Sequence, residues 1–242
     1  MLSLESLKEF TKKYQTKEAN IFREYVQHLF LSYLYQIPAS EKLLFKGGTA
    51  LRVIYQSPRF SEDLDFTGQN IYSSKILDDL FVSAIAEIEK LGLKIEFTEA
   101  KPTTGGYLGI IHYELYNFSD DIYFEVSLRR GREQMSEITS IASDYLPSYS
   151  LFHLSGQEII KGKIAALLDR KKPRDYYDLY FSLRHSELNK YIPKKVLKEV
   201  KDNLAKTRIN FKKELSVLLP ISHHMMLKDF KDILMKEMIK YI

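Results

Sequence analysis

Two aspartates one residue apart, Asp63 and Asp65, carry the most suggestive chemistry in this chain. They lie in Ser61-Glu62-Asp63-Leu64-Asp65-Phe66, where acidic and apolar residues alternate and predict a strand over Asp63 to Thr67. Side chains two apart on a strand point the same way, so both carboxylates share one face and Leu64 and Phe66 the other. Adjacent carboxylates repel unless a positive charge lies between them, and a divalent cation is the natural partner. Magnesium takes one or two protein carboxylates and fills its other positions with water and phosphate oxygens. Manganese is the other candidate. Two such ions, about 3.5–4 Å apart, would activate an attacking hydroxyl and stabilise a departing pyrophosphate.

Just upstream runs Lys46-Gly47-Gly48-Thr49-Ala50-Leu51-Arg52. The glycines follow an apolar run, Leu43 to Lys46, that predicts a short strand, and they open a helical pattern over Thr49 to Tyr55. Glycine lets backbone N–H groups approach a phosphate closely, and a helix N-terminus favours its charge. A Gly-Gly pair alone is usually a turn, and an Asp-x-Asp alone is usually two surface acids. Together they make a coherent phosphoryl-transfer site. Glu125, in a predicted strand with Tyr123 and Ser127 on its face, is the candidate third acid for a two-metal site. Its other reading is an acid on the exposed side of an antiparallel strand.

The elements that must position these residues follow from periodicity. Lys17 to Tyr35 predicts a helix with Ile21, Phe22, Tyr25, Leu29 and Phe30 on its apolar face, stopped before Pro38. Ser73 to Leu91 predicts another, capped at Ser74 and ended by Gly92. Strands are expected over Leu93 to Thr98, Leu108 to Tyr116 and Ile122 to Leu128, the last two joined by a polar loop, Asn117 to Asp121. Beyond Pro147 the pattern turns helical, with helices expected over Gly156 to Leu168, Arg174 to Leu183, Pro193 to Ala205 and Met225 to Tyr241. The chain therefore divides near Leu146 to Leu154, into 1–148 and 149–242. Helices and strands mix without regular alternation in the first part, which places the fold in the α+β class.

Bulk composition sets limits. The 242 residues are 45% hydrophobic and 28% charged, ordinary for a globular protein. No cysteine is present, which excludes disulfides, thiolate metal sites and a cysteine nucleophile and fits a reducing compartment. The first twenty residues are polar and no apolar run approaches the roughly 20 residues that span a bilayer. The expectation is a cytoplasmic protein without a membrane partner. Net charge is only +4, but Arg170, Lys171, Lys172 and Arg174, then Lys194, Lys195, Lys198 and Lys201, form basic clusters. Such runs are either solvated helix faces or phosphate contacts. Six histidines are scattered or, at His223-His224, adjacent, and none has the spacing of a helical metal pair.

Four blocks of the sequence together resemble the AbiEii/AbiGii-type nucleotidyltransferase toxins, a branch of the polymerase-beta-like superfamily. They are Phe45 to Arg52, Arg59 to Phe66, Lys161 to Leu167 and Arg170 to Tyr180. The resemblance implies a nucleotidyltransferase-type mixed sheet domain followed by a C-terminal helical domain. It implies that Lys46, Gly47, Gly48 and Thr49 hold the triphosphate, that Arg52 supports that loop or neutralises the substrate, and that Asp63, Asp65 and Glu125 bind magnesium. Lys163 would contact the nucleotide phosphates, and Asp175 and Asp178 would orient Lys163 or the nucleotide. Ser61 matches a position close to the nucleotide whose modification silences some relatives. From the residues alone, Lys163 reads equally as a lysine snorkelling beside an apolar stripe. Asp175 and Asp178, three apart on one helix face, read as a surface pair bridged to Arg170 or Arg174.

The implied reaction is attack of an acceptor hydroxyl on the α-phosphate of a nucleoside triphosphate, with nucleoside monophosphate transferred and pyrophosphate released. The implied acceptor is RNA, such as the tRNA 3′ end, in a growth-arrest or phage-defence toxin with a cognate antitoxin protein. A protein side chain or an aminoglycoside-like small molecule are the other acceptors. The rival reading is a catalytically silent relative that binds nucleic acid or protein. The complete acid set argues against it.

Overall fold

The computed structural model describes residues 1–128 and 133–242. The chain forms two compact units: one of residues 1–56 and 60–154, the other of 57–59 and 155–242. The first is a mixed sheet with helices and the second is helical, the α+β arrangement expected. The sheet unit begins with α1 (Leu4–Lys13), capped by the Ser3 hydroxyl on the Ser6 N–H, and α2 (Glu18–Leu34). Then come β1 (Leu43–Lys46), α3 (Gly47–Val53), β2 (Leu64–Gly68) and α4 (Ser74–Glu89). Five strands complete it: β3 (Lys94–Thr103), β4 (Gly106–Leu115), β5 (Phe118–Leu128), β6 (Ser136–Ile141) and β7 (Tyr149–Leu154).

The strands form one sheet in the order β3-β4-β5-β2-β1-β7-β6. β2 lies near its centre, antiparallel to β1 and parallel to β5. One face of these central strands is apolar. Phe66 of β2 and Phe124 of β5 pack there against Phe81 of α4, with ring centroids 6.3 and 5.6 Å away, and Phe30 of α2 lies 4.4 Å from Phe124. All four rings are buried, and burying each contributes on the order of 1.5–3 kcal/mol. Alternation then forces the residues between them, Asp65 and Glu125, onto the opposite face.

Three differences from the sequence expectations have identifiable causes. Residues 118–121 are strand and only Tyr116-Asn117 form the turn, with Tyr116 at φ +58°. The acids there find partners on other elements: Asp120 the Arg23 guanidinium of α2, and Asp121 the His112 imidazole of β4, hydrogen-bonded at 2.7 Å. The sheet extends through Leu154, because β7 pairs in parallel with β1 and antiparallel with β6. The cap of α4 is Ser73, one residue before the expected serine, accepting from the Lys75 N–H.

The helical unit contains α5 (Gly156–Arg170), α6 (Pro173–Arg184), α7 (Lys194–Lys206), α8 (Phe211–Leu218) and α9 (Phe230–Ile239). The expected helix over Met225 to Tyr241 is thus a 3-10 turn at Met225–Leu227 followed by α9. Tyr177 of α6 and Phe211 of α8 meet Phe230 of α9 at ring centroids 5.8 and 4.9 Å apart, forming this unit's core. No helix among the described residues is long and apolar enough to cross a membrane.

Candidate active site

In the sheet unit the register gathers the predicted residues. Lys46 at the end of β1 pairs with Asp65 of β2, and Asp65 pairs with Glu125 of β5. Paired residues of neighbouring strands share a face, so Lys46, Asp65 and Glu125 stand side by side on the polar face. The Lys46 ammonium donates to the Ser127 hydroxyl at 2.9 Å. Asp63 lies immediately before β2, two residues from Asp65 and outside the strand ladder.

Gly47 is needed here for a stated geometric reason. Its φ is +86°, and a Cβ on it would meet Asp65 Oδ2 at 2.0 Å and Asp65 Cβ at 2.8 Å. The Asp65 carboxylate occupies the space a side chain would fill. This places the start of the glycine loop and one acid in van der Waals contact.

The helix that follows is anchored rather than open. The buried Thr49 hydroxyl donates to the Asp63 carbonyl. Arg52 forms a fork on Glu24 of α2, through Nε at 2.5 Å and Nη2 at 3.2 Å, and its guanidinium stacks 4.0 Å from the Phe60 ring centre. Tyr145 donates to the same Glu24 carboxylate at 2.7 Å. Burial alone would lower the Arg52 pKa, but the Glu24 charge and hydrogen bonds outweigh it and hold the guanidinium above its ordinary value. Three residues along α2, the buried Gln27 amide donates to the carbonyls of Ser61 at 3.1 Å and Glu62 at 3.0 Å.

In the helical unit, Asp178 of α6 is fully buried between two cations. Arg59 holds it bidentately, Nε to Oδ1 at 2.8 Å and Nη2 to Oδ2 at 3.0 Å, and the Lys163 ammonium of α5 sits 2.8 Å from Oδ2. Burial would raise the Asp178 pKa, but Arg59 and then Lys163 oppose it, and the carboxyl ends below its ordinary range. Lys163 therefore does not simply snorkel outward. Asp175 is engaged elsewhere. Its carboxylate accepts from the Lys172 backbone N–H at 3.1 Å and from Arg170 Nη2 at 2.7 Å, capping α6. Of the two acids, Asp178 contacts Lys163, while Asp175 closes the start of its own helix.

Sequence reasoning gave no role to Arg59, Glu24, Gln27 or Ser127. Arg59 stood inside a quoted motif, but its partner is 119 residues away. Glu24, Gln27 and His28 did carry a signal: they are polar residues set among the apolar positions of α2, and all three are buried.

Asp63 and Asp65 are the residues that could hold magnesium. They offer the one or two carboxylates it needs, while Gly47 leaves room for the Asp65 carboxylate. Among the described residues no group of three or more His, Cys, Asp or Glu is gathered to hold a metal ion. Water and phosphate oxygens would complete the coordination. A cavity of about 770 Å³ in the same unit is lined by Tyr25, Tyr33, Tyr145 and Tyr149 among other uncharged residues. It contains none of the acids or the glycine loop, and without a charged wall it does not suit a triphosphate.

The family profile described as "Nucleotidyl transferase AbiEii toxin, Type IV TA system" matches residues 29–238. Solved structures that share the fold include the following two. MenT4, a nucleotidyltransferase toxin from Mycobacterium tuberculosis H37Rv, superposes with a TM-score of 0.61 at 18% identity, covering 98% of this chain and 90% of its own. JHP933 from Helicobacter pylori superposes with a TM-score of 0.57 at 20% identity, covering 93% of this chain and 96% of its own. No curated protein matches the sequence.

Proposed function

This chain belongs to the AbiEii nucleotidyltransferase toxin family, and from that premise we propose that it is a magnesium-dependent enzyme transferring a nucleoside monophosphate from a nucleoside triphosphate to an acceptor hydroxyl. The observation that carries this reading is the juxtaposition of Gly47 with the Asp65 carboxylate, on a sheet face that also presents Lys46 and Glu125. Asp63 and Asp65 hold the cation, with Glu125 the adjacent third acid. The cation supplies charge neutralisation for the triphosphate and for the departing pyrophosphate. Gly47, Gly48 and Thr49 bring main chain close to phosphate oxygens, where any larger residue at 47 would displace Asp65. The Thr49 hydroxyl is committed to the Asp63 carbonyl, so this residue binds phosphate through its backbone.

Lys163 supplies a compact cation to phosphate oxygens. Asp178 keeps its ammonium in place, and Arg52 serves the loop through Glu24 rather than meeting substrate. In the reaction, the acceptor oxygen forms a bond to the α-phosphorus, the bond from that phosphorus to the β-phosphate bridge breaks so that pyrophosphate departs with the bonding pair, and the hydroxyl proton passes to solvent water. The acceptor we favour is RNA such as the tRNA 3′ end, in a toxin restrained by a cognate antitoxin and acting in the cytoplasm. The basic clusters of the helical unit suit a polyanionic acceptor. The test is to incubate the purified protein with each labelled triphosphate, magnesium and total RNA. Label should appear in RNA, and Asp63→Asn or Asp65→Asn should abolish it. Near-normal transfer by either variant would defeat the metal assignment.

A further inference from the structure

We propose that Gln27 of α2 is a positioning residue that sets the divalent-cation affinity of Asp63 and Asp65; this rests on the cation reading above. The segment that delivers Asp63 lies outside the strand ladder, so no neighbouring strand fixes its backbone. Three successive carbonyls there are instead captured by side chains. Gln27 takes those of Ser61 and Glu62, and Thr49 takes that of Asp63. An amide nitrogen has two hydrogens, and Gln27 spends one on each carbonyl. Both Gln27 and Thr49 are 1% exposed, so water does not compete for these bonds.

A cation shared by Asp63 and Asp65 needs the two residues at a fixed separation, and the part that can yield is the segment before β2. Asp65 is fixed in the ladder between Lys46 and Glu125. Gln27 and Thr49 hold the backbone that carries Asp63, so the cation meets a pair already in place. Groups that orient ligating carboxylates in this way are typically worth 10–100-fold in metal affinity. Glu24, one helical turn before Gln27, anchors Arg52 of α3. The same helix thereby fixes both the glycine-loop helix and the segment carrying Asp63.

The alternative is that Gln27 only satisfies two buried carbonyls, in which case its loss lowers stability and leaves cation affinity unchanged. Manganese binding to the nucleotide-free protein separates the two, measured from the electron paramagnetic resonance signal of free Mn²⁺. Gln27→Met keeps the side-chain length and removes both donors. It should weaken manganese binding by about 10–100-fold, and saturating manganese should restore transfer. Wild-type affinity in Gln27→Met would overturn the positioning role while leaving the cation site standing. Failure of the wild-type protein to bind manganese would overturn both. If Gln27→Met does not fold, Thr49→Ser and Thr49→Val test the same segment from its other side. Serine should keep wild-type affinity and valine lose it, and equal affinities would reject the proposal.

Discussion

Gly47→Ala tests whether the glycine loop and the acid pair are one device. Two costs can be separated. The backbone at φ +86° is one that L-residues adopt at about 1–2 kcal/mol. The new Cβ would also fall 2.0 Å from Asp65 Oδ2 and 2.8 Å from Asp65 Cβ. A rotamer change moves the oxygen but not the Asp65 Cβ, so the backbone of β1 or β2 must shift as well. Overpacking of that kind costs about 1–3 kcal/mol. The sum, about 2–5 kcal/mol, is a large part of a typical domain's stability. Gly105→Ala supplies the control: its φ is +83° and a Cβ there meets nothing within 4 Å, so it carries only the backbone cost. Urea denaturation should place Gly47→Ala about 1–3 kcal/mol below Gly105→Ala, and manganese titration should show weakened binding in Gly47→Ala alone. Equal stabilities of the two variants, with wild-type manganese affinity in Gly47→Ala, would refute the argument.

Two further outcomes follow from buried charge. His28 is buried against Tyr149, its Nδ1 2.8 Å from the phenol oxygen, and burial pushes its pKa down from 6.5 to about 4. Between those values the unfolded chain binds a proton that the folded chain refuses, so stability falls as pH drops from 6.5 toward 4, by up to about 3 kcal/mol; a His28→Gln variant whose urea midpoint keeps the wild-type pH dependence would contradict this. Asp178→Asn leaves Arg59 buried beside a neutral amide and should cost about 3–5 kcal/mol, seen as a lowered denaturation midpoint of the helical unit. An unchanged midpoint would show that the cluster is not a stabilising one.

What the sequence made legible was local. The alternation through Leu64, Asp65 and Phe66 predicted a strand with Asp65 on its polar face, because period-2 patterning is imposed wherever one side of a sheet is buried; Asp63, expected inside that strand, lies just before it. The helices α2, α4, α5 and α6 were readable for the corresponding reason at helical period. β7 was not. Its six residues, Tyr149 to Leu154, are too short to announce a period, and their pairing with β1 joins segments about a hundred residues apart in the chain. The strand through Asp120 and Asp121 was read as a loop because its acids find their partners on α2 and β4, far away in the chain or across the hairpin. Arg59 and Asp178 were each visible, but nothing local says that one neutralises the other.

Motif residues also differ in what their functional groups are spent on, which the sequence alone does not separate. Thr49, Arg52 and Asp175 have theirs consumed within the fold, by the Asp63 carbonyl, by Glu24 and by the cap of α6 respectively. Lys163 is different. Its ammonium shares Asp178 with Arg59, and its side chain is 14% exposed. Removing Lys163 does not orphan the buried carboxylate, since the Arg59 fork remains at 2.8 and 3.0 Å. Lys163→Met, which keeps the apolar stem, should therefore alter stability little and cut the transfer rate by roughly 10²–10³-fold, as for loss of a charge-stabilising donor. Asp175→Ala should do the reverse. It removes an N-terminal cap worth about 0.5–2 kcal/mol together with the buried partner of Arg170, whose 41% exposed side chain can turn to solvent, while transfer stays near its original rate at temperatures where the variant is folded. Measuring the denaturation midpoint and the transfer rate for both variants decides the matter. If Asp175→Ala loses transfer as deeply as Lys163→Met without losing stability, its carboxylate acts on substrate and the division between architecture and chemistry drawn from the hydrogen bonds is wrong.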